Sequence, residues 1–431
     1  MFENKLSRLL TGLKNREAIL LESQLKEHPS SVRSYLAIGD EAKIVVKNRK
    51  AIFFEDGREI RRVNGEPWKA LKKFRREYPG WHFGYLGYDL GNQAESEKPN
   101  SEGSSGIPDM IFLKPRLLAE IKGDVMEWIY GDGSELKLNS TSSDQNRLGP
   151  FVDRFIPGVS KERYLQKVED IRQRIKEGDF YELNFSYPLT GRFEGNPLQL
   201  YEQMKQVNPV PFGAYLAVEG MHVCCASPER FLKKSGAKLL SEPIKGTSAR
   251  AEDPSVDQKN RDELLNEKNR AENLMIVDLV RHDLAKIAKT GTVKVDKLFD
   301  LQSFGTVHQL ISSISCEVDN RLDPVDYIQE CFPMGSMTGA PKIEVMKHID
   351  RLEEYSRGIY SGAIGYFTPE GDFDFNVVIR TAIIRDGVLT YPVGGAITSD
   401  SIPAEEWEET LLKAKSLFRA LPEESGAEQK A

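Results

Sequence analysis

Lys245 stands in the run Ser241-Glu242-Pro243-Ile244-Lys245-Gly246-Thr247, between an apolar strand-like stretch and a Gly-Thr pair. Pro243 restricts Glu242 to extended geometry and Gly246 permits a tight turn, so the spacing predicts a lysine at a strand end, a frequent address for reactive side chains. Taken alone, the segment reads first as a surface lysine in a turn. Glu272 is the second candidate. In a helix predicted over 261–289 it shares a face with Leu265, Met275, Ile276 and Leu279, in the middle of an apolar stripe. A buried carboxylate needs a cation or donors, and a metal ion or an ion pair, with Arg281 or a distant lysine, would serve equally. Arg380 lies in Val377-Val378-Ile379-Arg380-Thr381-Ala382-Ile383, apolar on both faces, which predicts a buried guanidinium facing a carboxylate. On a final helix predicted over 404–421, Glu406, Glu409 and Lys413 flank the stripe of Trp407, Leu411, Ala414 and Phe418. First-turn acids can simply complement the helix dipole. Two carboxylate-bearing helices with a buried arginine and a lysine nevertheless favour Mg²⁺ holding a carboxylate substrate, since hard oxygen ligands and waters suit that ion.

The chain that must position these groups has 431 residues, a formal charge of −7 and scattered basic residues. No cationic stripe suggests nucleic acid or an anionic membrane, and proteins and small molecules are the expected partners. No apolar run reaches membrane-spanning length and the start lacks a signal-peptide core, which points to the cytoplasm. Cys224, Cys225, Cys316 and Cys331 lack metal-ligand spacing and are expected to be free, mostly in the core. Alternating runs such as Ala42 to Val46, Ala51 to Phe54 and Ile111 to Leu118 predict sheet in the first part. Polar insertions at 92–106 and 139–149 put a soft boundary near Gly149. Beyond it, Tyr164, Val168, Ile171 and Ile175 predict a helix capped by Ser160 and stopped by Gly178, followed by a strand over 180–189. Phe332 to Pro341, with two glycines before a helix over 341–352, offers free N–H groups as a possible anion site. Strands are predicted over 359–367 and 373–384, the latter turning at Asp386-Gly387 into 388–393.

Nine strings, in order, resemble the chorismate-utilising enzymes. They are GDFYELNFS (178–186), SPERFL (227–232), PIKGT (243–247), RAENLMIVDLVRHDLAKIA (270–288), FGTVHQL (304–310), FPMGSMTGAPK (332–342), YSGAIGYF (360–367), VVIRTA (377–382) and EEWEETLLKAK (405–415). The first part is more loosely similar, through ILLES (19–23) and GWHFGYLGYDL (80–90). The resemblance implies an α/β fold of the α+β type: two antiparallel sheets packed as a two-lobed sandwich, helices outside, and a site in the cleft. Residues 1–149 would form the N-terminal lobe and 150–422 the chorismate-binding region, with a polar tail over 423–431.

It further implies roles. Glu272 and Glu409 match Mg²⁺ ligands, and Glu406 matches a carboxylate acting on the ion's waters; Asn269 stands where the family often has a further acid. Thr247, Tyr360, Arg380, Lys413 and the backbone of Gly394 and Gly395 match groups that hold the substrate, and His308 matches a histidine beside its ring. Lys245 separates branches of the family, because anthranilate-forming members carry Pro-Ile-Ala-Gly-Thr and the lysine form is typical of the aminodeoxychorismate synthase branch. There the lysine amine attacks C2 of chorismate, Glu229 protonates the departing 4-hydroxyl, and ammonia enters at C4. Burial is expected to depress the lysine and raise the glutamate. Glu182 departs from the glutamine usual in relatives that use ammonia, and could pair with Lys245. No glutamine-hydrolysing site is recognisable, so a separate glutaminase subunit is the implied ammonia source. Anthranilate synthesis, then isochorismate synthesis, are the alternatives. Leu20-Leu21-Glu22-Ser23 resembles the tryptophan-binding motif of regulated anthranilate synthases.

Overall fold

Period-two apolar runs dictate strands, and the computed structural model turns them into one antiparallel network built from Ala18–Glu22 to Val388–Ile397. The structure describes residues 6, 9–10, 12–13, 16–25, 33–91, 106–134, 136, 149–303, 307–319, 321–422 and 425. The polar insertions and the tail read from the sequence fall almost wholly outside these residues. Among the described residues, every strand pairing is antiparallel, including those that join distant parts of the chain: Ala18–Glu22 pairs with Phe212–Val218, and His82–Leu86 with Ala363–Phe367.

Three apolar clusters divide the core. One packs the helices Lys161–Glu177, Pro197–Val207 and Pro403–Ala420 onto the strand Glu182–Glu194. A second packs Pro67–Glu77, Glu267–Ala285 and Pro324–Cys331 onto the strands of the other lobe. The third, with Tyr35, Phe83, Tyr85, Leu216 and Ile364, contains no helical residue and fills the space where sheet faces sheet. No helix among the described residues is long and apolar enough to cross a membrane. All four cysteines are buried and free.

Capping chemistry sets the boundaries that matter for the site. Lys161–Glu177 starts at Ser160, whose hydroxyl accepts the Arg163 N–H, and stops at Gly178 with φ 91°, as expected. The helix expected over 261–289 is instead two, Pro254–Glu263 and Glu267–Ala285, because the Asn266 side chain accepts the Asn269 N–H and starts the second afresh. That break changes the reading of Glu272. The buried side of the second helix carries Asn273, Ile276, Val277, Val280 and Leu284, Leu265 lies outside the helix and is exposed, and Glu272 is half-buried at the edge of the stripe. Arg281 pairs with Asp278.

The strand expected over 373–384 is also broken. Phe373–Asn376 and Thr381–Arg385 are separate, and Arg380 sits between them at φ 51°, where the Val378 N–H turns to the Gly362 carbonyl and the Ile379 N–H to that of Val377. Phe332 to Ala340 is buried rather than open to an anion: Gly335–Met337 forms a 3₁₀ turn, Gly339–Ala340 pairs with Glu182–Leu183, and Pro341 caps Lys342–Leu352.

Candidate active site

Alternation along Glu182–Glu194 divides its side chains. Leu183, Phe185, Tyr187 and Leu189 enter the helix-covered core, leaving Glu182, Asn184 and Ser186 on the opposite face. Glu182 is 1% exposed, and its Oε1 lies 3.0 Å from Nζ of Lys245. Its Oε2 is buried without a protein partner. Lys245 is not at a strand end. It belongs to Ile244–Ala249, and the register against Val307–Glu317 shifts between Ile244 and Thr247, a bulge that Gly246 accommodates at φ 81° and that aims the lysine inward.

Glu229 lies in the turn between the strands Met221–Ser227 and Arg230–Ser235. Its Oε1 accepts the Ser336 hydroxyl at 2.7 Å. Burial pushes its carboxyl up to about 7, against the opposing pull of Ser336, Lys245, the Ile244 N–H and Arg380. A carboxylic acid of this kind can give up a proton near neutral pH. Lys245 departs from expectation. Burial pulls its ammonium down, but Glu182, Glu272 and Glu229 together outweigh that pull and hold it above the usual lysine range. Three carboxylates around one amine favour the charged form more than dehydration disfavours it.

Arg380 lies near Glu229. Its carbonyl accepts the Ala226 N–H and the neighbouring Val377 N–H donates to the Glu229 carbonyl, so the two segments are laced together. Burial lowers the guanidinium somewhat, with Tyr391 and Glu229 opposing. Tyr360 is buried, and burial holds its phenol well above the ordinary range.

A second group of residues assembles on Val388–Ile397, which pairs with Glu182–Glu194 so that Gly394 lies opposite Ser186 and Gly395 opposite Phe185. Lys413 donates from Nζ to the Gly394 carbonyl at 2.8 Å and pairs with Glu409 Oε1 at 2.8 Å. A Cβ at Gly395 would lie 3.5 Å from Glu406 Oε2 and 3.9 Å from Glu409 Oε1, so two carboxylates converge where this residue lacks a side chain. Among the described residues, no cluster of three or more acidic, histidine or cysteine side chains is close enough to hold a metal. Glu406 and Glu409 offer hard oxygens of the kind Mg²⁺ takes, with the Lys413 ammonium 3.5 Å from the same Cβ position.

Two further expected site residues lie on the paired strands Ile244–Ala249 and Val307–Glu317. The Thr247 side chain is exposed. His308 is 1% exposed, with both ring nitrogens engaged, Nδ1 by the Ser303 hydroxyl at 2.7 Å and Nε2 by Asp257 at 3.0 Å. Ser336, which sequence reasoning missed, completes the Glu229 environment; a serine between Gly335 and the buried Met337, in a stretch rich in glycine, was the available signal. Leu21, Glu22 and Ser23 border a cavity of about 440 Å³.

Residues 16–419 match the chorismate binding enzyme family. The chain is 36% identical over 384 residues to the chloroplastic aminodeoxychorismate synthase of Arabidopsis thaliana, covering 82% of this chain and 42% of that protein. It is 31% identical over 411 residues to aminodeoxychorismate synthase component 1 of Bacillus subtilis, covering 89% of this chain and 86% of the relative. The chain thus spans less than half of the plant relative and most of the bacterial one. In structure it is similar to anthranilate synthase component I from Streptococcus pneumoniae, with a TM-score of 0.74 and 25% identity over 91% of this chain and 93% of that one.

Proposed function

The chain belongs to the chorismate-binding enzyme family, and we propose that it aminates chorismate at C4, giving 4-amino-4-deoxychorismate, through an adduct on Lys245. The observation that carries this reading is an amine aimed inward by a bulge, near enough to a buried carboxyl that each acts on the other's charge, and that carboxyl's affinity for its proton is raised to about 7.

At rest Lys245 is an ammonium ion paired with Glu182, and Glu182 Oε1, at 3.0 Å, is placed to take the proton that frees the amine. The Nζ–C2 bond then forms, the ring double bonds shift, and the C4–O bond breaks. Glu229 gives its proton to the departing oxygen, which leaves as water. Ammonia bonds to C4, the double bonds shift back, and the C2–Nζ bond breaks to restore the lysine, the surplus proton returning to Glu229. Arg380, Tyr360, Thr247, Lys413 and the backbone at Gly394 and Gly395 hold the substrate, and His308 orients the segment beside the ring. Glu272 and Glu409, with Glu406 acting through waters, would hold Mg²⁺. That ion supplies a positive charge for the ring carboxylate, which draws electron density from the diene. We assign ammonia supply to a separate glutaminase subunit and the reaction to the cytoplasm.

The test is purified protein with chorismate, MgCl₂ and ammonium sulfate, its products separated with and without added aminodeoxychorismate lyase. p-Aminobenzoate formed only with the lyase is the expected result, whereas anthranilate formed without it would reject C4 amination. A second expectation concerns Glu182→Gln. Glu182 raises the lysine's affinity for its proton, so removing its charge lowers that affinity and enlarges the neutral fraction at any given pH. Because Glu182 is also the acceptor that frees the amine, the variant must lose that proton to solvent, and a rise of kcat with pH that the wild type lacks should appear. An unmoved profile would mean that Glu182 does not govern the nucleophile.

A further inference from the structure

The side chains of Arg357 and Glu353 form a buried pair that bonds to none of the side chains assigned above, yet it binds groups beside three of them, and the Arg357 carbonyl itself accepts the Tyr360 N–H at 3.0 Å. Both side chains are 1% exposed. The guanidinium uses all five of its N–H donors: Nε to Glu353 Oε2 at 2.8 Å, Nη2 to Glu353 Oε1 at 2.6 Å and to the Asn184 carbonyl at 2.8 Å, and Nη1 to the Met337 carbonyl at 2.7 Å and to Ser361 Oγ at 3.3 Å. Its plane lies over the Tyr88 ring at 4.5 Å. Glu353 Oε1 also accepts the Ser186 N–H at 2.8 Å and its hydroxyl at 2.7 Å.

These acceptors come from three separate segments. Asn184 is two residues from Glu182 on the same strand face. Met337 adjoins Ser336, whose hydroxyl binds Glu229. Ser361 adjoins Tyr360 and is itself held at φ 61°, a strained conformation for a residue with a side chain. We propose that Arg357 is a positioning residue that sets the relative placement of Glu182, the Ser336–Glu229 bond and Tyr360 by bridging the three backbone segments that carry them. A rigid planar fork can fix three segments at once, and a lysine, with three donors on a flexible stem, cannot. Small displacements of such groups are costly, since misplacement by about 1 Å can lower a rate about a hundredfold.

This inference rests on the proposed reaction, but its readouts are chorismate consumption and equilibrium binding of chorismate, which do not depend on which product forms. A wild-type protein that consumes chorismate without making the amino product sinks the proposed reaction and leaves this test intact. The test is Arg357→Lys, checked for folding by thermal denaturation. Its kcat should fall about a hundredfold. The limb of its pH profile set by Glu229 should move upward, because the Ser336 hydrogen bond that lowers this carboxyl is loosened. A residue important only for folding leaves that limb in place. A folded variant with kcat within about threefold of wild type and an unmoved limb overturns the inference. If Arg357→Lys does not fold, Ser361→Gly decides, since glycine keeps the positive φ while removing one of the five contacts. Equilibrium dialysis should then show a Kd for chorismate raised about fivefold through Tyr360, and a Kd within about twofold of wild type overturns the inference.

Discussion

Lys245→Ala should abolish the amino product, with a loss of at least about a thousandfold in kcat, because it removes the amine assigned to the C2 bond. The effect must be separated from misfolding. Removing the lysine leaves the Glu182 carboxylate buried without its partner, and breaking a buried pair from one side costs about 3–5 kcal/mol. Lys245→Ala/Glu182→Gln is the appropriate companion, since it removes the charge together with the amine. The double variant should recover thermal stability and remain inactive. Turnover in the folded double variant comparable with wild type would exclude the covalent route.

Glu229→Gln is the second large effect, expected to lower kcat by about 10²–10⁴-fold, the usual contribution of a positioned acid. Glutamine is nearly isosteric and its carbonyl oxygen can still accept the Ser336 hydroxyl, so the site's shape should persist. The pH dependence identifies the role. In the wild type, Glu229 must carry a proton to act, and burial places its midpoint at about 7, so activity should decline as pH rises through that value. In the glutamine variant no proton is available for release or loss, and that decline should vanish. A decline that survives the substitution would assign the acid to another group.

Part of the site was legible because its residue types, each open to a plainer reading alone, recur together along the chain. Glu406 and Glu409 beside an apolar stripe, and Lys245 beside a proline and a glycine, stand out in the sequence; the fold sets the first two beside Gly395 and the third beside Glu182. Local caps were equally readable at Ser160 and Gly178, where one side chain or one missing Cβ decides the boundary. Long-range hydrogen bonding was not. Arg380 lies in an unbroken β-branched run, and only the competition of Gly362 and Glu229 for the adjacent backbone groups breaks the strand there. The helix break at Asn266 made Glu272 an edge residue where an uninterrupted helix would have buried it. The charge on Lys245 was legible only in part, since pairing with Glu182 was foreseen and the combined pull of three carboxylates was not. Burial could be inferred from its neighbours in sequence, whereas the three carboxylates that outweigh it come from residues 182, 229 and 272, brought together only by the fold. Arg357 carried no signal of its own, since the partners that tie it to distant segments are backbone carbonyl groups, which every residue has.

The pairing of Ala18–Glu22 with Phe212–Val218 and of His82–Leu86 with Ala363–Phe367 has a consequence in time. During synthesis, the first of these strands meets its partner only after nearly two hundred further residues have been made, and the second waits longer still. Until then both present open edges, the form in which strands associate with the wrong chain. Contacts so far apart in sequence also make closure slow, because loop entropy is lost before the pairing compensates for it. The first part of this chain is therefore unable to mature as it emerges. It reaches its final form only when the segment bearing Tyr360 and Ala363–Phe367 has been made, and the active site is completed later still, with Val388–Ile397 and Pro403–Ala420.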